Sequence, residues 1–407
     1  MYLSSPASFA RAGEFLMTIT MKTPTAIQFG AGNIGRGFLA QLFHESGFEV
    51  VFADVAEPLL QAINNRGEYT IQIVGDNAED VPINTIRAIH SRDVDAIASE
   101  LASSQIVCTA VGANVLPHLA PAIAQGLILR HRQNSQPINI LLCENLHDAA
   151  SLLRTHVSKH LPEAERDTIL LKTGFVQAVV SRMVPAQTEA EKAKDILGVR
   201  VEAYKRLPID ANAIVGDFPK IAGVEPVSNF LAYVERKLYT HNCAHAILGY
   251  LGHSKGYNFG YEALQDEEIR ALLTDVLRET GEALLRKHHF DPETHQNHVL
   301  DLLHRFENRS LGDTCLRLAR DPIRKLAIDD RLVGSARLCE LEGIEPTALV
   351  IAIVTALRHD DPSDPSTLKL QATLAEHGIE RVLTELCGLP SQEPLHQKIL
   401  NRWRQTA

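Results

Sequence analysis

Residues 25–37 read TAIQFGAGNIGRG, and this stretch decides the fold of the chain. A short apolar strand runs directly into three glycines with Gly-x-Gly-x-x-Gly spacing, and an apolar helix follows. The next strand, 50–53, ends at Asp54, about 20 residues beyond the motif. Strand, glycines, helix, strand and acidic residue in this order predict a Rossmann-type dinucleotide site. A glycine-rich turn of an unrelated α/β protein does not explain Asp54.

Each part of this motif has a physical role in holding a dinucleotide. Gly30 allows the tight turn, Gly32 lets the backbone approach a pyrophosphate, and Gly35 lets helix and strand pack closely. Asp54 can accept hydrogen bonds from both ribose hydroxyls and repels a 2′-phosphate, which favours NAD over NADP. The predicted cofactor-binding residues are Phe29, Gly30, Ala31, Gly32, Asn33, Ile34, Gly35, Arg36, Gly37, Asp54, Val55, Val111, Gly112 and Asn145.

Strands and helices alternate along the rest of the first half. In open parallel sheets, ligands lie beyond the carboxyl ends of the strands, so the small-residue turn 111–114 is predicted to hold the nicotinamide half of the cofactor. Asn145 is predicted either to offer its amide near the reacting carbon or to cap a helix over 147–160. The pattern predicts strands at 69–74, 83–89, 105–110, 138–142, 168–180 and 199–206 and helices at 94–101 and 114–124.

Strand signals stop at about residue 228, after a stretch rich in glycine and proline at 216–227. We therefore predict an α/β Rossmann-type N-terminal domain with a mixed or parallel sheet over 21–225, and a mostly α-helical substrate and catalytic domain over 226–407. Residues 1–20 are predicted to be a disordered extension. The helical periods lie at 230–251, 266–288, 295–305, 347–357, 366–376, 379–386 and 393–403.

Residues 237–245, KLYTHNCAH, are the candidate catalytic segment. At 100° per residue, Lys237, Asn242 and His245 fall within one helical arc of about 140° and can face one cleft. A lysine in a dry cleft loses solvation of its charged form, so its pKa falls and it can act as a base near neutral pH. An asparagine amide can stabilise a developing alkoxide. The alternative is an ordinary amphipathic helix with a polar edge.

Composition excludes several classes of protein. The chain has 407 residues, 45% of them hydrophobic, and a net charge of −10, which disfavours nucleic acid as a partner. No apolar run approaches the roughly 20 residues that span a bilayer, and no secretory signal is expected. Six scattered cysteines without a CxxC pair favour reduced thiols in the cytoplasm.

Two further groups of side chains are candidates for ligand binding. The stretch 305–331 carries seven arginines and lysines, which are predicted mostly to pair with nearby acids and at one or two positions to bind a substrate phosphate. His295 and His298 have the i, i+3 spacing of metal ligands, but no cysteine joins them. We therefore predict a solvated surface at these histidines and no metal site.

Several segments in order along the chain resemble the polyol-specific long-chain dehydrogenases, the mannitol dehydrogenase family. The likeness covers almost the whole chain from Met21 onward, and it is more specific than the glycine motif alone. The segments are FGAGNIGRGF (29–38), FADV (52–55), TAVG (109–112), CENL (143–146), VERKL (234–238), NCAHAI (242–247), RFEN (305–308), DPIRKL (321–326) and DRL (330–332).

The resemblance implies an NAD-dependent, metal-independent interconversion of D-mannitol 1-phosphate and D-fructose 6-phosphate. It makes Lys237 the general acid and base, Asn145 and Asn242 the pair that stabilises the alkoxide, and His245 a residue that positions substrate. Ser181 stands where the family has an aspartate, so Arg182 is expected to have a different partner. The candidate substrate-binding residues are Arg182, Arg305, Arg324 and Lys325.

Two alternatives stay open at this point. The first is a dehydrogenase of an unphosphorylated hexitol or sugar acid, of the mannitol, fructuronate or tagaturonate type, on the same fold. The second is a non-catalytic protein that senses NAD(H). The expected partner is a small phosphorylated polyol or sugar, without nucleic acid or membrane, bound by a monomer or small homo-oligomer.

Overall fold

A computed structural model describes residues 23–76, 78–146 and 148–406. The predicted extension at 1–20 lies outside the described residues. The strands within them are β1 (Thr25–Phe29), β2 (Glu49–Asp54), β3 (Tyr69–Ile73), β4 (Glu79–Ile83), β5 (Ile86–His90), β6 (Ile106–Thr109), β7 (Ile138–Leu142), β8 (Thr173–Gln177), β9 (Val199–Val201), β10 (Leu207–Asp210) and β11 (Val224–Val227).

The main sheet has six strands in the order β5-β2-β1-β6-β7-β8, and every neighbouring pair is parallel. The strand order reverses between β1 and β6, which opens a crevice at the carboxyl edge of the sheet. A smaller sheet, β4-β3-β9, mixes antiparallel and parallel pairs, and β10 and β11 form a parallel pair. The predicted Rossmann-type fold with a helical second part is therefore confirmed.

Strand β1 shows why the sheet is covered on both faces. All five of its residues are buried, as expected of a parallel strand between two helical layers. Its side chains alternate, so Ala26 packs into the hydrophobic core on one face of the sheet and Ile27 into the core on the other. The helices of this part are α1 (Ala40–Glu45), α2 (Glu57–Arg66), α3 (Val94–Ser103), α4 (Ala120–Arg132), α5 (Ala149–Ser158), α6 (Arg166–Leu171) and α7 (Glu189–Lys194).

The second part of the chain is helical around its own core, and within the described residues no helix is both long and apolar enough to cross a bilayer. Its helices are α8 (Phe230–Arg236), α9 (Cys243–Ser254), α10 (Gly260–Gln265), α11 (Glu267–His288), α12 (Pro292–Phe306), α13 (Cys315–Ala319), α14 (Pro322–Lys325), α15 (Val333–Leu341), α16 (Thr347–Leu357), α17 (Pro365–Arg381) and α18 (Pro394–Gln405). π-helical turns occupy Gly35–Leu39, Lys237–Asn242 and Val382–Leu386.

Several element predictions were wrong in detail. The predicted strand 83–89 is divided between β4 and β5 by Thr85, whose φ of 57° breaks the extended backbone. The predicted strand 168–180 begins as helix α6 and becomes β8 only at Thr173. The short helices α10, α13, α14 and α15 were missed because apolar runs of four to nine residues carry little periodicity.

One buried ion pair joins the sheet-bearing part to the helical part. Glu202 follows β9, and both of its carboxylate oxygens accept from the Arg305 guanidinium on α12, at 2.6 and 2.7 Å. The two side chains are only 3% and 8% exposed. Arg305 also donates to the Ser181 carbonyl at 2.6 Å and lies over the Tyr204 ring at 4.0 Å. Removing either partner leaves an uncompensated buried charge.

We predict that Arg305→Met lowers the free energy of unfolding by about 3–5 kcal/mol, because Glu202 then stays buried without its counter-charge. The matched control is Arg278→Met, which removes an exposed pair with Asp275 and should cost less than about 1 kcal/mol. Urea unfolding of the two variants tests this. Equal costs would show that the Glu202–Arg305 pair does not hold the two parts together.

Candidate functional site

A cavity of about 790 Å³ lies where the carboxyl edge of the main sheet meets the helical part. Its sheet side is lined by residues that follow β6, β7 and β8, including Gly112, Asn145 and Ala178. Its helical side is lined by the π-helical turn at Lys237–Asn242 and by Arg331. The cavity therefore combines the strand ends where a dinucleotide binds with the predicted catalytic segment.

The glycine motif leaves room for a phosphate at one position and none at two others. A Cβ on Gly30 (φ +89°) would lie 2.4 Å from the Ala110 carbonyl oxygen, and one on Gly35 would lie 2.0 Å from the Gly30 oxygen. A Cβ on Gly32 would meet no atom within 4 Å. Gly30 and Gly35 thus serve close packing, and Gly32 borders open space of the kind that a pyrophosphate fills.

The Asp54 carboxylate at the end of β2 is held beside this loop. One of its oxygens accepts from the Ala31 N–H at 2.7 Å, and the other accepts from the N–H groups of Val55 and Ala56 at 2.7 and 3.0 Å. A carboxylate has about four acceptor sites, so capacity is left for ribose hydroxyls. The remaining acceptor sites of Asp54 fit the hydroxyl donors of an adenosine ribose without a 2′-phosphate.

Some predicted cofactor-binding side chains do not face this space. The Arg36 guanidinium is buried and donates to the Ala31 carbonyl, so it braces the loop from within. Gly37 is packed against Val184 and Val199, and Phe29 is fully buried in the sheet. For these residues the structure does not favour direct contact with the cofactor, because Gly37 and the side chains of Phe29 and Arg36 are buried within the protein.

The turn after β6 is fixed by a residue that the sequence prediction omitted. The Glu144 carboxylate, buried after β7, accepts from the N–H groups of Val111 and Gly112 at 3.0 and 2.7 Å. This bond pair holds the turn where the nicotinamide half of a cofactor was predicted to lie. The signal for Glu144 was its position two residues beyond the end of a buried strand.

Lys237 and the two asparagines meet in the cavity. The Lys237 ammonium donates to Asn145 Oδ1 at 3.1 Å, which joins the helical part to the end of β7. Asn242 lines the same cavity and is 8% exposed. In a regular α-helix, residues five apart are rotated by about 140°, whereas the i→i+5 bonding of the π turn brings Lys237 and Asn242 nearer to one line.

The surroundings of Lys237 lower the pKa of its amine. Desolvation, aided by the nearby positive charge of Arg331, lowers the Lys237 pKa to about 8, while Asp330 acts in the opposite direction. A lysine with such a pKa can take and return a proton near neutral pH. The alternative role of Asn145 as a helix cap is wrong, because α5 begins at Ala149 and has Asp148 at its N-cap position.

Comparison with known proteins assigns the family. A family model of the mannitol dehydrogenase Rossmann domain matches residues 24–223, and one of the mannitol dehydrogenase C-terminal domain matches residues 229–406. The chain belongs to the mannitol dehydrogenase family. The resemblance inferred from the sequence segments is thereby confirmed.

Named relatives agree with this family assignment, and two solved structures share the fold. It is 39% identical to mannitol-1-phosphate 5-dehydrogenase of Brevibacillus brevis over 93% of the chain and 97% of the relative, and 39% identical to that of Bacillus subtilis over 93% and 100%. Mannitol 2-dehydrogenase of Pseudomonas fluorescens, solved with NAD and D-mannitol, has the same fold (TM-score 0.73, 18% identity, 94% and 91% coverage). So does a D-sorbitol dehydrogenase (TM-score 0.78, 16% identity, 94% and 93% coverage).

The histidine predicted to position substrate in this family member does not line the main cavity. His245 lies about one helical turn beyond His241 along the chain. Its ring stacks on Phe306 at 4.2 Å and borders a separate small pocket. His241 lines the main cavity instead, with its ring edge-on to His245 at 4.6 Å. The signal for His241 was its i, i+4 spacing from Lys237, which puts the two on one helical face.

Of the four predicted substrate-binding cations, two line the cavity and two do not. Arg305 is committed to Glu202 and lies outside the cavity, so the structure does not bring it to the site. Lys325 is buried, donates to the Leu318 carbonyl, and does not line the cavity either. Both residues were predicted to bind substrate because they lie in family motifs. The sequence of a motif does not show whether its cation already has a buried partner in the folded protein.

The other two candidates, both arginines, line the cavity wall. Arg182 lines it, but its guanidinium donates to Gln41 Oε1 at 2.7 Å and to two backbone carbonyls, so the different partner expected for it is uncharged. Arg324 lines the rim with a half-exposed side chain and pairs with Asp321 at 2.8 Å. Arg331, which was not singled out, lines the same wall and pairs with Asp330 at 2.6 Å.

The predicted solvated surface at the histidines of α12 is wrong. His295 is 4% exposed, and neither of its ring nitrogens has a partner. The His298 ring meets the Thr240 hydroxyl at 3.3 Å. Across the described ranges, no group of three or more His, Cys, Asp or Glu side chains is arranged to hold a metal ion.

We predict that Gly32→Val weakens NADH binding by about tenfold or more, because its side chain enters the open space beside the loop. Its free energy of unfolding should change by less than about 1 kcal/mol, because no protein atom lies within 4 Å. Gly35→Ala is the contrasting variant, and its clash with the Gly30 carbonyl should destabilise the fold. Fluorescence titration with NADH and urea unfolding separate the two effects. Unchanged NADH affinity in Gly32→Val would place the dinucleotide elsewhere.

Proposed function

We propose that this chain interconverts D-mannitol 1-phosphate and D-fructose 6-phosphate with NAD as the cofactor. The names of the relatives from Brevibacillus brevis and Bacillus subtilis, aligned over 93% of the chain, support this substrate pair. The observation that carries the chemistry is the contact of Lys237 with Asn145 in the cavity that also reaches Ile34 of the glycine motif. The carboxylate of Asp54 supports NAD over NADP.

Residues of this chain transfer the hydroxyl proton and stabilise the charge of the alkoxide in the proposed reaction. The bound cofactor would supply the hydride acceptor for the polyol in its oxidised form, NAD⁺, and the hydride donor for the ketose in its reduced form, NADH. In the oxidation, neutral Lys237 takes the proton of the reacting hydroxyl. The amides of Asn145 and Asn242 stabilise the transient alkoxide. In the reduction, protonated Lys237 gives the proton back to the forming hydroxyl, so the atoms and the charge balance in both directions.

Arg324 and Arg331 are the proposed phosphate-binding residues. Guanidinium groups bind phosphate oxygens through paired hydrogen bonds, and both arginines line the cavity that contains Lys237. The alternative is an unphosphorylated hexitol or a sugar acid. It is favoured by the pairing of both arginines with aspartates, since that pairing reduces the positive charge available to a phosphate.

We also propose the setting in which the chain works. Its six cysteines are all buried and unpaired, which supports a reducing compartment such as the cytoplasm. The net charge of −10 supports a small-molecule substrate without nucleic acid. A monomer or a small homo-oligomer is compatible with a cavity built within one chain.

We predict that the purified protein oxidises NADH with fructose 6-phosphate and does so at least about tenfold more efficiently, in kcat/KM, than with fructose. A preference for fructose or a uronate would replace the phosphopolyol proposal with its alternative. Tight NADH binding without turnover of any of these would favour a non-catalytic NAD(H)-sensing protein.

The phosphate site itself is tested in the same assay. Arg324→Ala should raise KM for fructose 6-phosphate by about tenfold and leave the rate with fructose unchanged, because only the phosphate loses a partner. Arg278→Ala, on the exposed face of α11, is the matched control. An equal loss with both sugars would mean that Arg324 does not act on the phosphate.

We predict opposite pH profiles for the two directions. Oxidation needs neutral Lys237, so its kcat/KM should rise as the pH increases through about 8. Reduction needs protonated Lys237 and should fall over the same interval. Initial rates between pH 6 and 10 measure both profiles. Lys237→Met should lower either rate by about 10²- to 10⁴-fold, and a variant with wild-type activity would exclude Lys237 as the base.

A further inference from the structure

Two cysteines lie side by side at the carboxyl edge of the main sheet. The sulfur of Cys108 on β6 and that of Cys143, just beyond β7, are 3.7 Å apart, and both are free thiols. The pairing of β6 with β7 places Cys108 opposite Leu141, two residues before Cys143. The two side chains therefore point to the same face of the sheet, and both belong to one hydrophobic core. The proposed reaction uses neither thiol.

The two thiols differ in their relation to the main cavity. Cys143 belongs to the cavity wall, whereas Cys108 is completely buried and does not line the cavity. Burial, followed by the contact with Cys143, raises the pKa of the Cys108 thiol well above its ordinary value. A small oxidant that enters the cavity therefore meets Cys143 first, and Cys108 is the adjacent sulfur that can close a bond to it.

We propose that Cys108 and Cys143 are a site of oxidative modification, at which a hydroperoxide forms a disulfide that switches the enzyme off. In the first step the Cys143 sulfur attacks the O–O bond of hydrogen peroxide, which gives a sulfenic acid and one water. In the second step the Cys108 sulfur attacks the sulfenic sulfur, the S–S bond forms, and the hydroxyl group leaves with the thiol proton as a second water. Two thiols thus lose two electrons, which reduce one peroxide to two waters.

Formation of this bond moves the end of β7. Diagonal neighbours on adjacent strands lie about 7–8 Å apart, whereas a disulfide holds its Cα atoms at about 4.4–6.8 Å. The sulfurs themselves lie about 1.7 Å beyond the length of an S–S bond. Cys143 is followed by Glu144, which holds the turn after β6, and by Asn145, which accepts from Lys237. The displacement therefore disturbs the proposed cofactor turn and the proposed alkoxide site together.

The test treats the purified protein with increasing hydrogen peroxide and stops the reaction with catalase. Mass spectrometry after alkylation should show a bond between Cys108 and Cys143 and a protein lighter by two hydrogen atoms. NADH oxidation with fructose 6-phosphate should fall by about tenfold or more, because Asn145 is misplaced. Dithiothreitol should restore the activity by reducing the bond. Saturating NADH should slow the oxidation, because cofactor in the cavity covers Cys143.

Three variants, each compared with its own untreated rate, make the result specific. Cys143→Ser removes the sulfur at the cavity wall and should lose less than about twofold in activity at the dose that inactivates the wild type. Cys108→Ala leaves Cys143 without a second sulfur, so dimedone should trap a sulfenic acid in place of the bond. Cys387→Ala removes a buried thiol of the helical core and should respond as the wild type does. Urea unfolding confirms that each variant is folded, and Cys108→Ser replaces Cys108→Ala if the latter is not.

Three results would overturn the proposal. The first is loss of activity without a bond between Cys108 and Cys143, and the second is a complete bond with unchanged activity. The third is the same reversible loss in Cys143→Ser as in the wild type. The proposal rests on the dehydrogenase function above, but bond formation is measured independently of the substrate. If the wild type reduces fructose and not its phosphate, the proposed substrate fails, and the same measurements with fructose still decide the role of the two cysteines.

Discussion

The pair of Glu202 and Arg305 is the interaction on which the relation of the two parts depends. It is bidentate, almost completely buried, and tied to the backbone at Ser181 and Met183. Water cannot reach a buried pair to replace a lost partner, so separating the two charges is costly. The pair therefore constrains the geometry around it more than an exposed pair does. The cavity wall that contains Ser181 and Arg182 is therefore held at a defined distance from the helices that carry Lys237.

On the helical side of the cavity, the π turn positions the side chains of the site. One additional residue within the turn brings Lys237 and Asn242 toward the same face, and it places His241 there as well. The bond from Lys237 to Asn145 then connects this turn to the end of β7. The side chains proposed for proton transfer and alkoxide stabilisation are thus supplied by the end of β7 and a single helical turn.

The arginines show where sequence reasoning reached its limit. Arg305 and Arg324 belong to neighbouring family motifs and have the same chemistry, yet one is bound to Glu202 inside the protein and the other lines the cavity rim. The sequence separation between Arg305 and Glu202 is about 100 residues. No local pattern reports such a pairing, because it depends on how two distant elements pack. The same reason explains why the omitted Arg331 lines the cavity.

The sequence alone determined the Rossmann-type sheet, the helical second part, the glycine loop with Asp54, and the family. These features are encoded locally, through hydrophobic periodicity, positive φ at glycine and the spacing of short motifs. Tertiary structure alone decided which polar side chains face the cavity. Which of His241 and His245 lines the main cavity depends on a π turn that changes the angular spacing of a regular helix, and the burial of Arg305 depends on a partner from another domain. Both features result from the packing of elements that are distant in sequence, and this packing exists only in the folded chain.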